Sequence, residues 1–340
     1  MMNQPVKKTN DFAPAIILMI MAPLLTEVLP GATRFSSLFV FPIEVCVWGG
    51  GALMIRYTVR RWKLGWLGIL FLAIALAMAE EFIIQQTSVA PMVIRIKGVD
   101  YARAFNINYV YLLWALIYES VFVVFLPIFL VELIFPGRRE RFWINKPGFF
   151  VVIPLFLTGG LLAWFSWTRI ARVKVFKVPA YNPPLTISLL ALAVIAGLVY
   201  LSLRQGKNKS SASISLRKPW PPVVIIVCGL IWSAILFGLV LLGFGIAPAF
   251  PPVAAISIGV VLIWVALYLV PGWTNDRSWQ PKYVFALIFG VILGSMLVSF
   301  IGFSDTKGPD LYFKIITNVI AIILLIFLGT NVNKRNYLSI

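Results

Sequence analysis

The stretch Gly65–Ser88, GWLGILFLAIALAMAEEFIIQQTS, carries no charge over its first fifteen residues and then sets two glutamates side by side at 80 and 81. Its length is close to the roughly 20 residues a helix needs to cross the hydrocarbon core of a membrane. It therefore reads as a transmembrane helix with an acidic pair buried inside it. The rest of the chain repeats the first property along its whole length and the second only in its first third.

Apolar runs of similar length fall near 12–30, 36–57, 65–88, 107–133, 149–168, 185–204, 221–243, 252–271, 283–303 and 311–330. The chain has 340 residues, of which 61% are hydrophobic and 12% charged, where a soluble domain carries about a quarter charged. Too few charges remain to cover a water-facing surface. The expected fold class is all-α: a polytopic integral membrane helical bundle of about ten transmembrane helices. Its expected parts are an N-terminal segment 1–11, a four-helix sub-bundle 12–135, a basic loop 136–148, a six-helix apolar sub-bundle 149–330 and a C-terminal segment 331–340. The uncharged stretch Gly243–Pro252 leaves residues 221–271 readable as two full spans or as a re-entrant pair. Lys7 and Lys8 precede the first run, but that run contains Glu27 and lacks a small-x-small cleavage site, so it reads as a retained span rather than a signal peptide.

The net charge of +17 does not mark a nucleic-acid binder, because the 29 Lys and Arg lie between and at the ends of the apolar runs. Counted on alternate sides, 19 fall with the termini and the loops around Arg60, Arg138, Lys207 and Arg277, and 10 fall with the loops around Arg34, Arg95, Arg172, Gly245 and Lys307. That bias predicts both termini in the cytoplasm of a cell-membrane protein. There is no histidine, which removes His-ligated zinc and the Ser-His-Asp triad from consideration. The two cysteines, Cys46 and Cys228, lie far apart inside apolar runs and read as small core residues.

Six glutamates fall within apolar runs: Glu27, Glu44, Glu80, Glu81, Glu119 and Glu132. A carboxylate at the bilayer centre costs roughly 2.5–3.5 kcal/mol even on lenient scales, so such residues need a partner or a role. Glu132, close to Pro136 and Arg138, reads as snorkelling to the interface. Glu27, near the end of the first run, can reach water or Arg34 and is a secondary candidate. Glu44, Glu80, Glu81 and Glu119 lie deeper and form the core of the candidate binding site, with Gln85 and Tyr118. Glu81, Gln85 and Ser88 would form one polar stripe on a continuous helix, and Glu80 and Thr87 a second. Tyr111, Trp114 and Tyr118 share a face beside Glu119. Pro23, Pro127 and Pro154 would kink their helices, and Gly49, Gly50 and Gly51 would allow close helix approach. The segment containing Arg169, Arg172, Lys174 and Lys177 alternates as a short strand would and is a candidate contact for anionic lipid, or otherwise a solvated loop.

The stretch Ala79-Glu80-Glu81-Phe82-Ile83-Ile84-Gln85-Gln86 resembles the paired-glutamate motif of the CPBP intramembrane metalloproteases, the group that includes the CAAX prenyl proteases. That motif is Glu-Glu-x-x-x-Arg, and here Gln85 occupies the Arg position. Where a downstream helix of the family supplies histidine, this chain has Tyr118-Glu119. The resemblance implies an altered intramembrane enzyme without histidine ligands.

Three functions follow as expectations. The leading one is a transporter or ion-coupled carrier whose buried glutamates bind a proton, a cation or a small solute. The others are a non-catalytic membrane partner or scaffold, and an intramembrane enzyme of the kind just described. Cofactor and metal identity are open.

Overall fold

The computed structural model describes residues 12–93, 101–207, 218–246, 250–276, 278–304 and 306–337. The expectations that rest on 1–11, on Arg95 and Arg277, and on 338–340 lie outside these residues. Among the described residues, nine helices are long and apolar enough to cross a membrane. They follow a shorter first helix, α1 (Ala13–Val28). The nine are α2 (Phe35–Trp62), α3 (Trp66–Ile84), α4 (Tyr109–Ile134), α5 (Lys146–Val175), α6 (Leu185–Gln205), α7 (Pro222–Gly245), α8 (Pro252–Thr274), α9 (Pro281–Phe303) and α10 (Pro309–Lys334). Between α3 and α4 lies a small antiparallel hairpin, β1 (Arg103–Ala104) and β2 (Ile107–Asn108).

Local chemistry explains many of the boundaries. The last four helices all begin on proline, whose missing N–H is an orphan at that position anyway. Asn108 and Asn145 cap α4 and α5, their side chains accepting from the backbone N–H of Tyr111 at 2.9 Å and Gly148 at 2.8 Å. Helix α1 consists of eleven α residues followed by five in π geometry. At 1.5 Å per residue it is about 24 Å long, and the chain then reverses at Gly31, whose φ of +85° suits glycine. The expected count of ten spans is thus nine long helices and one short one. In the stretch left readable two ways, α7 and α8 are each long and apolar enough to cross a membrane.

Helix α4 is the most buried of the nine and runs through the middle of the bundle. Helices α1, α2 and α3 pack on one side of it, with α5 against α2 and α6 against α3. Helices α7, α8 and α9 pack on its other side, and α10 lies against α9. Small residues set the two closest crossings. A Cβ on Gly49 of α2 would lie 2.2 Å from the carbonyl oxygen of Met19 in α1, and one on Gly290 of α9 would lie 2.2 Å from that of Ile226 in α7. Pro23 has no N–H to donate to Met19, so the carbonyl against which Gly49 packs is one the helix itself does not use. The outward faces of α5, α6, α8 and α10 are apolar, with Leu157, Leu189, Val253 and Phe327 exposed.

The segment 166–175 is not a strand. It continues α5 in π geometry. Its Arg172 is buried and donates to the carbonyls of Pro91 at 2.9 Å and Pro179 at 3.3 Å. The guanidinium of Arg169 bonds Asn182 and stacks 5.2 Å from the centre of the Trp164 ring, while Lys174 and Lys177 are exposed.

Candidate functional site

Each of the first four helices passes from α into π geometry beside its glutamate. The π segments are Leu24–Val28, which contains Glu27, Val45–Gly49, which follows Glu44, Glu80–Ile84, and Ser120–Phe125, which follows Glu119. π-Turns are rare and recur at functional sites because they re-aim a side chain and loosen the ladder of backbone bonds. Here they lie beside five glutamates that interact with one another, at the end of the bundle opposite Arg56 and Arg60.

Glu80 interacts electrostatically with Glu81, Glu27 and Glu44, and Glu119 with Glu81, Glu80 and Glu27. The carboxyl groups of Glu81 and Glu119 lie close enough to interact side chain to side chain. Glu44, Glu80, Glu81 and Glu119 are all buried, and Glu27 is partly exposed. Two hydroxyls reach the cluster: Ser88 donates to Glu81 Oε2 at 2.6 Å, and Thr33 donates to Glu44 Oε1. Glu44 Oε2 and Glu80 Oε1 are buried without a hydrogen-bond partner. No lysine or arginine among the described residues pairs with any of the five. Arg34, expected near Glu27, instead lies 4.6 Å over the Phe303 ring. No three or more Cys, Asp or Glu side chains among the described residues are placed to hold one metal ion.

Some sequence expectations change. Glu81, Gln85 and Ser88 are not a stripe on one helix, because α3 ends at Ile84 and Gln86 takes a left-handed φ of 61°. Ser88 reaches Glu81 because the chain folds back, and Asn108 then holds the returning strand by donating its backbone N–H to Ser88 O at 2.8 Å. Gln85 is half-buried, and its backbone N–H donates to Glu80 O at 2.9 Å. Tyr118 does not stand free in a cavity wall. Its ring is stacked on Trp114 at 4.6 Å and set edge-on to Phe237 at 5.4 Å, and its hydroxyl donates to Thr26 O in α1. Glu132 does not snorkel to water. It is buried under Arg56, Arg60 and Arg139 at 3.1, 2.9 and 3.3 Å.

The sequence reading overlooked Thr33 and Lys314. Thr33 looks like an ordinary loop residue beside Arg34. Lys314 looks like a loop cation at the start of the last run, yet it is almost fully buried. Its ammonium donates to Leu29 O at 3.0 Å, Pro30 O at 3.2 Å and Ser299 Oγ at 2.8 Å, and sits over the rings of Phe300 and Phe303. It thereby satisfies carbonyls left open where α1 ends. Tyr118 serves Thr26 O in the same way, and the N–H groups of Gly31 and Thr33 serve Glu27 O at 3.1 and 3.0 Å.

Protein-family models, curated proteins and solved structures yield no match to this chain. The resemblance at Ala79–Gln86 therefore stands on those residues alone. What the arrangement offers chemically is a set of mostly buried carboxyl groups, without a paired Lys or Arg among the described residues, and with two hydroxyls and the aromatic stack of Trp114 and Tyr118 as neighbours.

Proposed function

We propose that the chain is a multi-pass transporter or proton-coupled carrier of the cell membrane, with both termini cytoplasmic, and that the glutamates of α1–α4 hold and pass its coupling proton. The observation that carries this reading is the side-chain approach of two buried carboxyl groups, Glu81 and Glu119. Two buried carboxyl groups so close together ionise one at a time, which favours a proton shared between them. No Lys or Arg among the described residues pairs with either group, which supports a proton as the neutralising charge. Glu27, the one partly exposed member, is the entry, and Glu80 and Glu44, each with an unpartnered oxygen, are the next stations. Among the described residues no three carboxylates are placed to form a cage, and a divalent cation takes about six or more oxygen ligands, so the arrangement suits a proton better.

The test is proton flux into proteoliposomes loaded with a pH-sensitive dye, under an imposed pH or electrical gradient. Glu81→Gln and Glu119→Gln should each lower the flux at least tenfold while the protein remains folded. Wild-type flux in both variants, or none in the wild type under either gradient, overturns the proposal.

A second reading is a scaffold in which protonated glutamates join helices. The hydroxyl contacts of Ser88 and Thr33 favour it. It predicts that the same variants lower thermal stability, with no gradient-driven flux in any form of the protein.

A further inference from the structure

At the end of the bundle opposite the glutamate cluster, a cavity of about 140 Å³ opens between α2, α3 and α4. Its polar wall is made by Arg56, Arg60, Arg139 and Glu132. The three guanidiniums gather on Glu132, and Arg60 also bonds the exposed Glu140 at 2.6 Å. Three positive groups against two carboxylates leave the site with an excess of one positive charge. They also carry more N–H donors than two carboxylates can take up. Nε of Arg60 is buried without a hydrogen-bond partner. Nε of Arg56, on a side chain only 4% exposed, lies 3.1 Å from Glu132 Oε1 but off hydrogen-bond alignment.

The other wall is apolar. Trp66, Ile69 and Phe129 line it, all half-buried and facing the rim of the bundle. The exposed Trp62 stands next to it in sequence, and tryptophan gathers at the level of lipid headgroups. A cavity with cationic donors on one side and hydrocarbon on the other matches a molecule that joins an anionic phosphate to an acyl chain. A free anion would leave the apolar half unused. The excess of Lys and Arg predicts this end to be cytoplasmic, where anionic lipids are concentrated and basic groups near the surface attract them.

We propose that this cavity binds the phosphate of an anionic phospholipid, with the guanidiniums of Arg60 and Arg139 as ligands and the Trp66–Phe129 wall holding the start of its acyl chain. Arg56 positions Glu132 and is held in turn by the carbonyls of the 139–141 turn and the ring of Trp143 at 4.3 Å. Glu140 competes with the lipid for Arg60.

The experiment is native mass spectrometry of the full-length protein after exchange into phosphatidylcholine containing a minor fraction of phosphatidylglycerol, with inorganic phosphate as a separate arm. Phosphatidylglycerol should be retained at least tenfold over phosphatidylcholine, and inorganic phosphate should not displace it. Arg60→Gln and Arg139→Gln should each reduce retention about tenfold, the size of one lost charge-assisted contact. Glu140→Gln should increase it severalfold, a gain that misfolding cannot mimic. Equal retention of the two lipids, displacement by phosphate, or no opposite response of Arg60→Gln and Glu140→Gln overturns the proposal.

Discussion

Glu81 and Glu119 meet side chain to side chain across α3 and α4, and Ser88 donates to Glu81 Oε2 at 2.6 Å. The pair is thus fixed from two directions, by a helix and by a returning turn. Infrared spectra should contain a protonated-carboxyl C=O band that shifts in D₂O. Glu119→Gln should remove it and Ser88→Ala should move it. A band unchanged in both variants would mean that the shared proton is not there.

The ammonium of Lys314 supplies three hydrogen bonds to groups at the end of α1 and on α9. Lys314→Met leaves two backbone carbonyls without that donor, at roughly 1–3 kcal/mol for each orphaned group. Thermal unfolding in detergent should show a clear loss for the Met variant and about half of it for Lys314→Gln, which keeps an N–H donor. An unchanged unfolding temperature for Lys314→Met would remove the capping role.

Gly49 is confined by backbone, since an added Cβ would lie 2.2 Å from Met19 O, whereas nothing lies within 4 Å of one added at Gly238. Gly49→Ala should cost at least the roughly 1–3 kcal/mol of ordinary overpacking. Gly238→Ala, within α7, should be neutral or stabilising by up to about 1 kcal/mol. Comparing the two unfolding temperatures tests the close crossing of α1 and α2. Equal effects would refute it.

Glu132 and Glu140 share Arg60 and differ in burial, at 6% and 77% side-chain exposure. Removing the buried member strands guanidinium charge, so Glu132→Gln should destabilise by roughly 3–5 kcal/mol. Glu140→Gln should change stability by less than about 1 kcal/mol, as exposed pairs do. Denaturation of both variants checks the ordering, and a larger effect at Glu140 would invert the assignment.

The helical class and the identity of the acidic helices were readable because hydropathy and buried charge are local properties of the chain. What was not readable depends on turns and on distant partners. Nothing at Gln85–Gln86 announces a helix end, since the left-handed residue there is a glutamine and not the usual glycine or asparagine. The gathering of Glu27 with the others depends on a π turn after Pro23, and on α2 coming close enough at Gly49 to bring Glu44 alongside. Counting only acids in the later helices hid Lys314, because a lysine near the start of a run looks solvated until α9 and the α1 turn close over it. Arg172 misled for a similar reason: its alternating neighbours suggest a strand, while its guanidinium serves the carbonyl of Pro91, 81 residues away.

The bond from Lys314 to Leu29 O joins residues 285 positions apart. The turn after the first helix therefore gains its cation only once almost the whole chain has been synthesised. Without it the carbonyls of Leu29 and Pro30 lack that donor. A chain stopped short of its last helix would thus be left with its earliest turn unfinished.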